Sequence, residues 1–202
     1  MRALLIIDLQ NDFLPGGALA VPEGNQVIPL INQLQEKFTC IIATKDWHPP
    51  QHISFASYHN KPIGEVIRTD GGVQVLWPDH CIQNTPGAAF SLHLNTDKIE
   101  KVIFKGIDPH VDSYSAFYDN AQVRSTGLED YLRHRRVDEL VIVGLATEYC
   151  VKYSVLDALL LGFKTRVISD ACRGIDLQVS DSALALEQME EAGAQILKAH
   201  QI

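Results

Sequence analysis

Leu140-Val141-Ile142-Val143-Gly144-Leu145-Ala146-Thr147-Glu148-Tyr149-Cys150-Val151 reads as a strand, a turn and the opening of a helix. The first four residues are apolar and mostly β-branched, short enough for a strand buried on both faces, as in a parallel sheet. From Val151 to Leu161 the apolar residues take up helical spacing instead. If the helix begins near Thr147, with its hydroxyl as the N-cap, Cys150 falls in the first turn. There, free backbone N–H groups and the helix dipole favour a thiolate. A strand that delivers a cysteine to a helix N-terminus is a way to make a nucleophile, whereas a lone cysteine elsewhere is usually a small buried hydrophobe.

Working outward, the same alternation recurs. Ala3–Ile7 reads as a buried strand ending in Asp8, and Pro15, Gly16 and Gly17 mark the loop after it. Val27, Ile28, Leu30, Ile31 and Leu34 share one helical face between about Glu23 and Lys37, and Cys40–Thr44 is a second strand. Further strands are expected at Lys101–Phe104, Thr165–Ile168 and, at an edge, Ala194–Leu197. Helices are expected at Leu128–His134 and at Ser180–Glu191, the latter capped by Ser180. This pattern predicts an α/β fold, an open, mostly parallel sheet with helices on both faces, in which ligands bind beyond the carboxyl ends of the strands. Asp8, Lys105 and Cys150 each stand at or just past such an end.

The 202 residues suit one domain spanning 1–202. A formal charge of -8 and no basic run longer than 133–136 argue against a nucleic-acid partner. No stretch reaches the roughly 20 apolar residues of a membrane span, and the N-terminal run is cut short by Asp8 before signal-peptide length. Cys40, Cys81, Cys150 and Cys172 have no CxxC spacing, and a cytoplasmic protein without disulfides is expected. The oligomeric state is left open, a homo-oligomer included.

Between Thr44 and about Asn95 lies an irregular insertion holding most of the prolines and four of the eight histidines. Loops this long in compact proteins usually carry function. In extended chain, Asp46 and His48 face the same way, and His80 of Trp77-Pro78-Asp79-His80 can complete a set of two imidazoles and a carboxylate. Such a set suits zinc, iron or manganese. Whether His52 is a further ligand or supports one is open. There is no GxGxxG, no GxxxxGK[ST] and no GxSxG, so nucleotide binding and serine hydrolysis are excluded on motif grounds. A thiol beside a carboxylate and an ammonium points to acyl transfer through a thioester, with the oxyanion near the N–H groups of Ala146 and Cys150.

Ile7–Phe13, Asp46–Pro49, Trp77–Cys81, Phe104–Gly106, Asp112–Phe117 and Gly144–Val151 together resemble the nicotinamidases (pyrazinamidases) of the isochorismatase-like cysteine hydrolases. The resemblance covers nearly the whole chain. It implies deamidation of nicotinamide to nicotinate and ammonia, a step of NAD salvage, with Asp8, Lys105 and Cys150 as a catalytic triad. It also implies a divalent metal on Asp46, His48 and His80, zinc before iron or manganese, that takes the ring nitrogen. Phe13, Leu19, Trp77 and Tyr114 would line the ring pocket, and a non-proline cis peptide would lie near Leu145 and Ala146. The rival readings are a related amidase acting on another small amide and a non-enzymatic binder that retains the pocket.

Overall fold

In the computed structural model, which describes residues 1–69 and 72–202, six parallel strands form one sheet in the order β5-β2-β1-β6-β7-β8. They are β1 Arg2–Ile7, β2 Ile41–Asp46, β5 Lys101–Lys105, β6 Glu139–Leu145, β7 Lys164–Arg173 and β8 Gln195–Leu197. Alternation along β1 explains the layering. Ala3, Leu5 and Ile7 pack into one apolar layer together with α3 (Leu128–His134), α4 (Lys152–Leu160) and α5 (Asp181–Glu191). Leu4 and Ile6 point the other way, onto α1 (Val27–Gln35), which buries Val27, Ile28, Ile31 and Leu34 against them. The expected sheet with helices on both faces is therefore present.

The chain places β2 and β5 on one side of β1, then crosses to place β6, β7 and β8 on the other. The strand order thus reverses between β1 and β6, the place where such sheets open a crevice at the strand ends. Gly144 makes the close approach there possible. It has φ +121, and a Cβ would lie 2.1 Å from the Ile7 carbonyl oxygen.

Several elements differ from expectation. β2 runs on to Asp46 because its pairing with β5 continues to the Asp46–Lys105 register pair. β7 does not stop near Asp170. A register shift after Ile142 lets Cys172 and Arg173 pair with Gly144 and Leu145. The insertion is not wholly irregular: it holds the short helix α2 (Ala56–His59) and an antiparallel hairpin, β3 (Val66–Thr69) with β4 (Gly72–Val75). Ser180 stands before α5 at φ 79 but its hydroxyl caps nothing; the Asp176 carboxylate accepts the Ser182 N–H instead, at 2.8 Å. The peptide between Leu145 and Ala146 is cis, as the resemblance implies.

Candidate active site and metal centre

Sheet register assembles the first group of side chains. Asp8 follows β1, Asp46 and Lys105 end the paired strands β2 and β5, and Cys150 lies five residues past β6. Lys105 is 1% exposed, and its ammonium reaches Asp8 Oδ2 at 2.8 Å, Cys150 Sγ at 3.3 Å, the Ser113 carbonyl at 3.2 Å and Asp46 Oδ1. Burial alone would lower the lysine pKa, but Asp46 and Asp8 overcome it and hold the ammonium well above its usual range. Asp8 is fully buried. That burial raises its carboxyl above the usual value, while Lys105 and the Thr44 hydroxyl, which donates to Oδ1 at 2.5 Å, work against the rise.

Cys150 departs from its expected setting in two ways. Residues Thr147–Val151 form a π turn preceded by Ala146, and no Thr147 hydroxyl caps it. Burial pushes the Cys150 thiol well above its ordinary pKa, and Lys105 offsets this only in part, so the resting group is a thiol and not the expected thiolate. A proton acceptor is then needed at the moment of attack, and Asp8 is near enough, its carboxylate lying within 4.8 Å of Sγ.

The second group comes from the insertion. His48 Nε2 and His80 Nε2 lie 3.5 and 3.7 Å from Asp46 Oδ2. Both Nδ1 atoms face backbone carbonyls, Gly106 O at 2.9 Å and Pro78 O at 2.7 Å, and a carbonyl can only accept. Each Nδ1 therefore carries the proton, and each Nε2 lone pair is turned toward Asp46, which is the state a metal requires. The three residues fit a divalent ion. Gly106 at φ +63 permits this contact, since a Cβ there would strike the His48 ring. A different triple, Asp8, Asp46 and Cys150, also gathers closely, but the Lys105 ammonium touches all three. His52 stacks on His48 with centroids 4.2 Å apart, and burial lowers its pKa to about 4. Its Nδ1 accepts the Ser54 N–H at 3.3 Å, leaving a buried Nε2 without a protein partner, outside the Asp46–His48–His80 trio.

Between the two groups lies a cavity of about 330 Å³. All four expected ring-pocket residues, Phe13, Leu19, Trp77 and Tyr114, line it, together with Asp46, His80, Ala146 and Cys150. Trp77 Nε1 donates to the Tyr114 hydroxyl at 3.1 Å. Sequence reading missed Asp112, Tyr149 and Ile175 in the lining and three residues that support it. Gln10 grips the Asp46 backbone from both sides, at 2.7 and 2.8 Å. Glu148 accepts the N–H groups of Ile175 and Asp176. Ser154 receives the Ala116 N–H and donates to the Cys150 carbonyl. Gln10 and Glu148 lie inside motifs already singled out, but spacing alone could not show which way they face.

A buried thiol, ammonium and carboxylate beside two imidazoles on a sheet of this order coincide with what known proteins show. Residues 2–201 match the isochorismatase domain model. The chain belongs to the isochorismatase family. Within it, this member is similar to the nicotinamidase of Escherichia coli (strain K12), 51% identical over 96% of this chain and 92% of that protein. Among solved structures, the yeast nicotinamidase bound to the inhibitor nicotinaldehyde superposes with a TM-score of 0.92 at 33% identity, covering 98% of this chain and 100% of that one. The Pyrococcus horikoshii pyrazinamidase in complex with zinc gives 0.80 at 40% identity, over 98% of each chain. This isochorismatase-family chain is an amidohydrolase with residues fit for a divalent metal. Among the described residues no helix is long and apolar enough to cross a membrane.

Proposed function

We propose that this chain hydrolyses nicotinamide to nicotinate and ammonia through a thioester on Cys150. The observation that carries the reading is the buried Lys105 ammonium, in contact with both Asp8 and Cys150 at the mouth of an aromatic-walled cavity. The Asp8 carboxylate takes the thiol proton as Sγ bonds to the carboxamide carbon, and the N–H groups of Ala146 and Cys150 receive the oxyanion. Asp8 then gives the proton to the departing nitrogen, the C–N bond breaks, and ammonia leaves a thioester. Water, deprotonated by Asp8, attacks that thioester. The C–S bond breaks, the thiol recovers the proton, and nicotinate forms. Lys105 holds the carboxylate in place and favours sulfur's negative charge as it develops.

Phe13, Leu19, Trp77 and Tyr114 would sandwich the ring. Asp46, His48 and His80 would hold zinc, which when bound supplies a positive point for the ring nitrogen to lean on; two nitrogens and one oxygen favour zinc over magnesium or calcium. Similarity to nicotinamidases and to a zinc-bound pyrazinamidase supports both assignments. We further read residues 1–202 as one domain, since both apolar layers share one sheet, and as cytoplasmic, since all four cysteines are unpaired. Nicotinate release would then serve NAD salvage.

The test is ammonia release from nicotinamide by the purified protein. Turnover that disappears in Cys150→Ala is expected. No release from nicotinamide, with release from a non-aromatic amide, would overturn the assignment in favour of a related amidase.

A further inference from the structure

One carboxylate in the cavity wall belongs to neither group. Asp112 is 4% exposed and has both oxygens occupied: Oδ1 accepts the Ser113 N–H at 2.8 Å and Oδ2 accepts from Gln74 Nε2 at 3.1 Å. Two N–H donors on one carboxyl favour its charged form. Both donors are neutral amides, and among the described residues Asp112 forms no ion pair, whereas Asp8 and Asp46 share Lys105. Gln74 is itself buried. It reaches in from β4 of the hairpin, and its amide also touches the Val75 carbonyl at 2.7 Å and the Tyr114 hydroxyl at 3.4 Å.

We infer that Asp112, fixed by Gln74, is a specificity-determining residue that lets the cavity accept a neutral pyridine carboxamide and reject the anionic carboxylate made from it. The inference rests on the function proposed above, because that reaction turns an uncharged ligand into an anion without changing its ring. Size cannot separate the two. In a cavity of about 330 Å³ a bound ring lies close to every wall, so the charge on Asp112 reaches any group the ring carries. Asp8, Asp46 and Asp112 outnumber the single ammonium of Lys105, and a divalent ion on Asp46, His48 and His80 would balance the surplus, leaving no positive charge for a further anion. A fixed, uncompensated charge facing the rival ligand is one way a site discriminates. Gln74 matters because a carboxylate tethered at both oxygens cannot turn away from the product.

The experiment compares two inhibitors of the metal-loaded enzyme, nicotinate and uncharged 3-methylpyridine, which presents the same ring nitrogen. The ratio of their inhibition constants cancels any general loosening of the pocket. In the wild type nicotinate is expected to bind more weakly than 3-methylpyridine; the reverse order overturns the inference without any variant. In Asp112→Asn the ratio is expected to fall about tenfold, since like-charge contacts in binding sites are strongly unfavourable. Asp112→Ala supplies the same comparison if the amide packs poorly. An unchanged ratio, with both constants rising together, means that Asp112 only supports the wall, and the inference fails. Absence of nicotinamide turnover in the wild type would overturn the proposed function together with this inference, whereas turnover with an unchanged ratio overturns this inference alone.

Discussion

The strand ends and the insertion position their side chains by different means. Asp8, Asp46 and Lys105 are set by the ladder: Asp46 faces Lys105 in register, and Ile7, just before Asp8, faces Gly144. His48, His80 and Trp77 have no such ladder. Isolated bridges join His48 to Ile82 and Phe55 to Trp77, while the Asp12 carboxylate holds the Cys81 N–H at 2.7 Å. A six-stranded sheet fixes its atoms with many cooperative hydrogen bonds, and a loop fixes them with a few specific ones. The chemistry that needs sub-ångström placement is therefore carried by the sheet, and ring recognition by the loop. This division predicts that strand-borne groups control kcat and insertion-borne groups control KM.

The largest effect tests the strand side. Cys150→Ala is expected to lower kcat by about 10⁵-fold, on the scale seen when a nucleophile is removed, with nicotinamide still bound in calorimetry. Loss of binding in parallel would erase the division. Asp8→Asn and Lys105→Met are each expected to lose about 10³-fold or more in kcat, with the double variant little worse than either, because the groups act as one unit. Independent, multiplying losses would break that unit apart. Lys105→Met should also cost about 3 to 5 kcal/mol in denaturant unfolding, since it leaves buried carboxylates without their cation.

On the insertion side, His48→Ala is expected to weaken metal retention and raise the nicotinamide KM by about 10- to 100-fold. Benzamide, which has no ring nitrogen, should be turned over poorly and change little. An unchanged nicotinamide KM would remove the metal from recognition. The pH profile sharpens the strand side again. Asp8 must be ionised to accept the thiol proton, and burial raises its pKa, so kcat/KM should fall as pH drops, with a midpoint above the usual carboxylate value of about 4. An acid limb below that value would assign the proton to another group. The smallest effect is expected from Trp77→Phe, which removes one hydrogen bond to Tyr114. It should raise KM about fivefold and leave kcat alone, in keeping with about 1 kcal/mol for such a bond.

Legibility in the sequence follows the same division. The sheet and its rim could be read because buried parallel strands are short apolar runs and Asp8, Lys105 and Cys150 end or follow them. The Asp46–His48–His80 grouping was readable from two-residue spacing, but its electrostatics were not. Tautomers depend on which carbonyls, Gly106 and Pro78, approach Nδ1 across 58 and 2 residues of chain. The hairpin β3–β4 was missed because only four residues per strand alternate, too few for a period to stand out. The thiolate expectation failed because helix-end electrostatics were weighed without the burial that only the folded chain reveals.

The π turn at Thr147–Val151 also limits how this chain can change length. It spends more residues on one revolution than an α-helix does, and the surplus sets the angular phase of everything that follows in α4. Deleting any one residue there would rotate the downstream helix by roughly 100° about its axis. Val155 and Ala158, now fully buried beneath the sheet, would swing away from it. Point substitutions in this turn should therefore be tolerated far better than single-residue deletions, and a deletion should regain a folded protein only when one residue is restored before Val155.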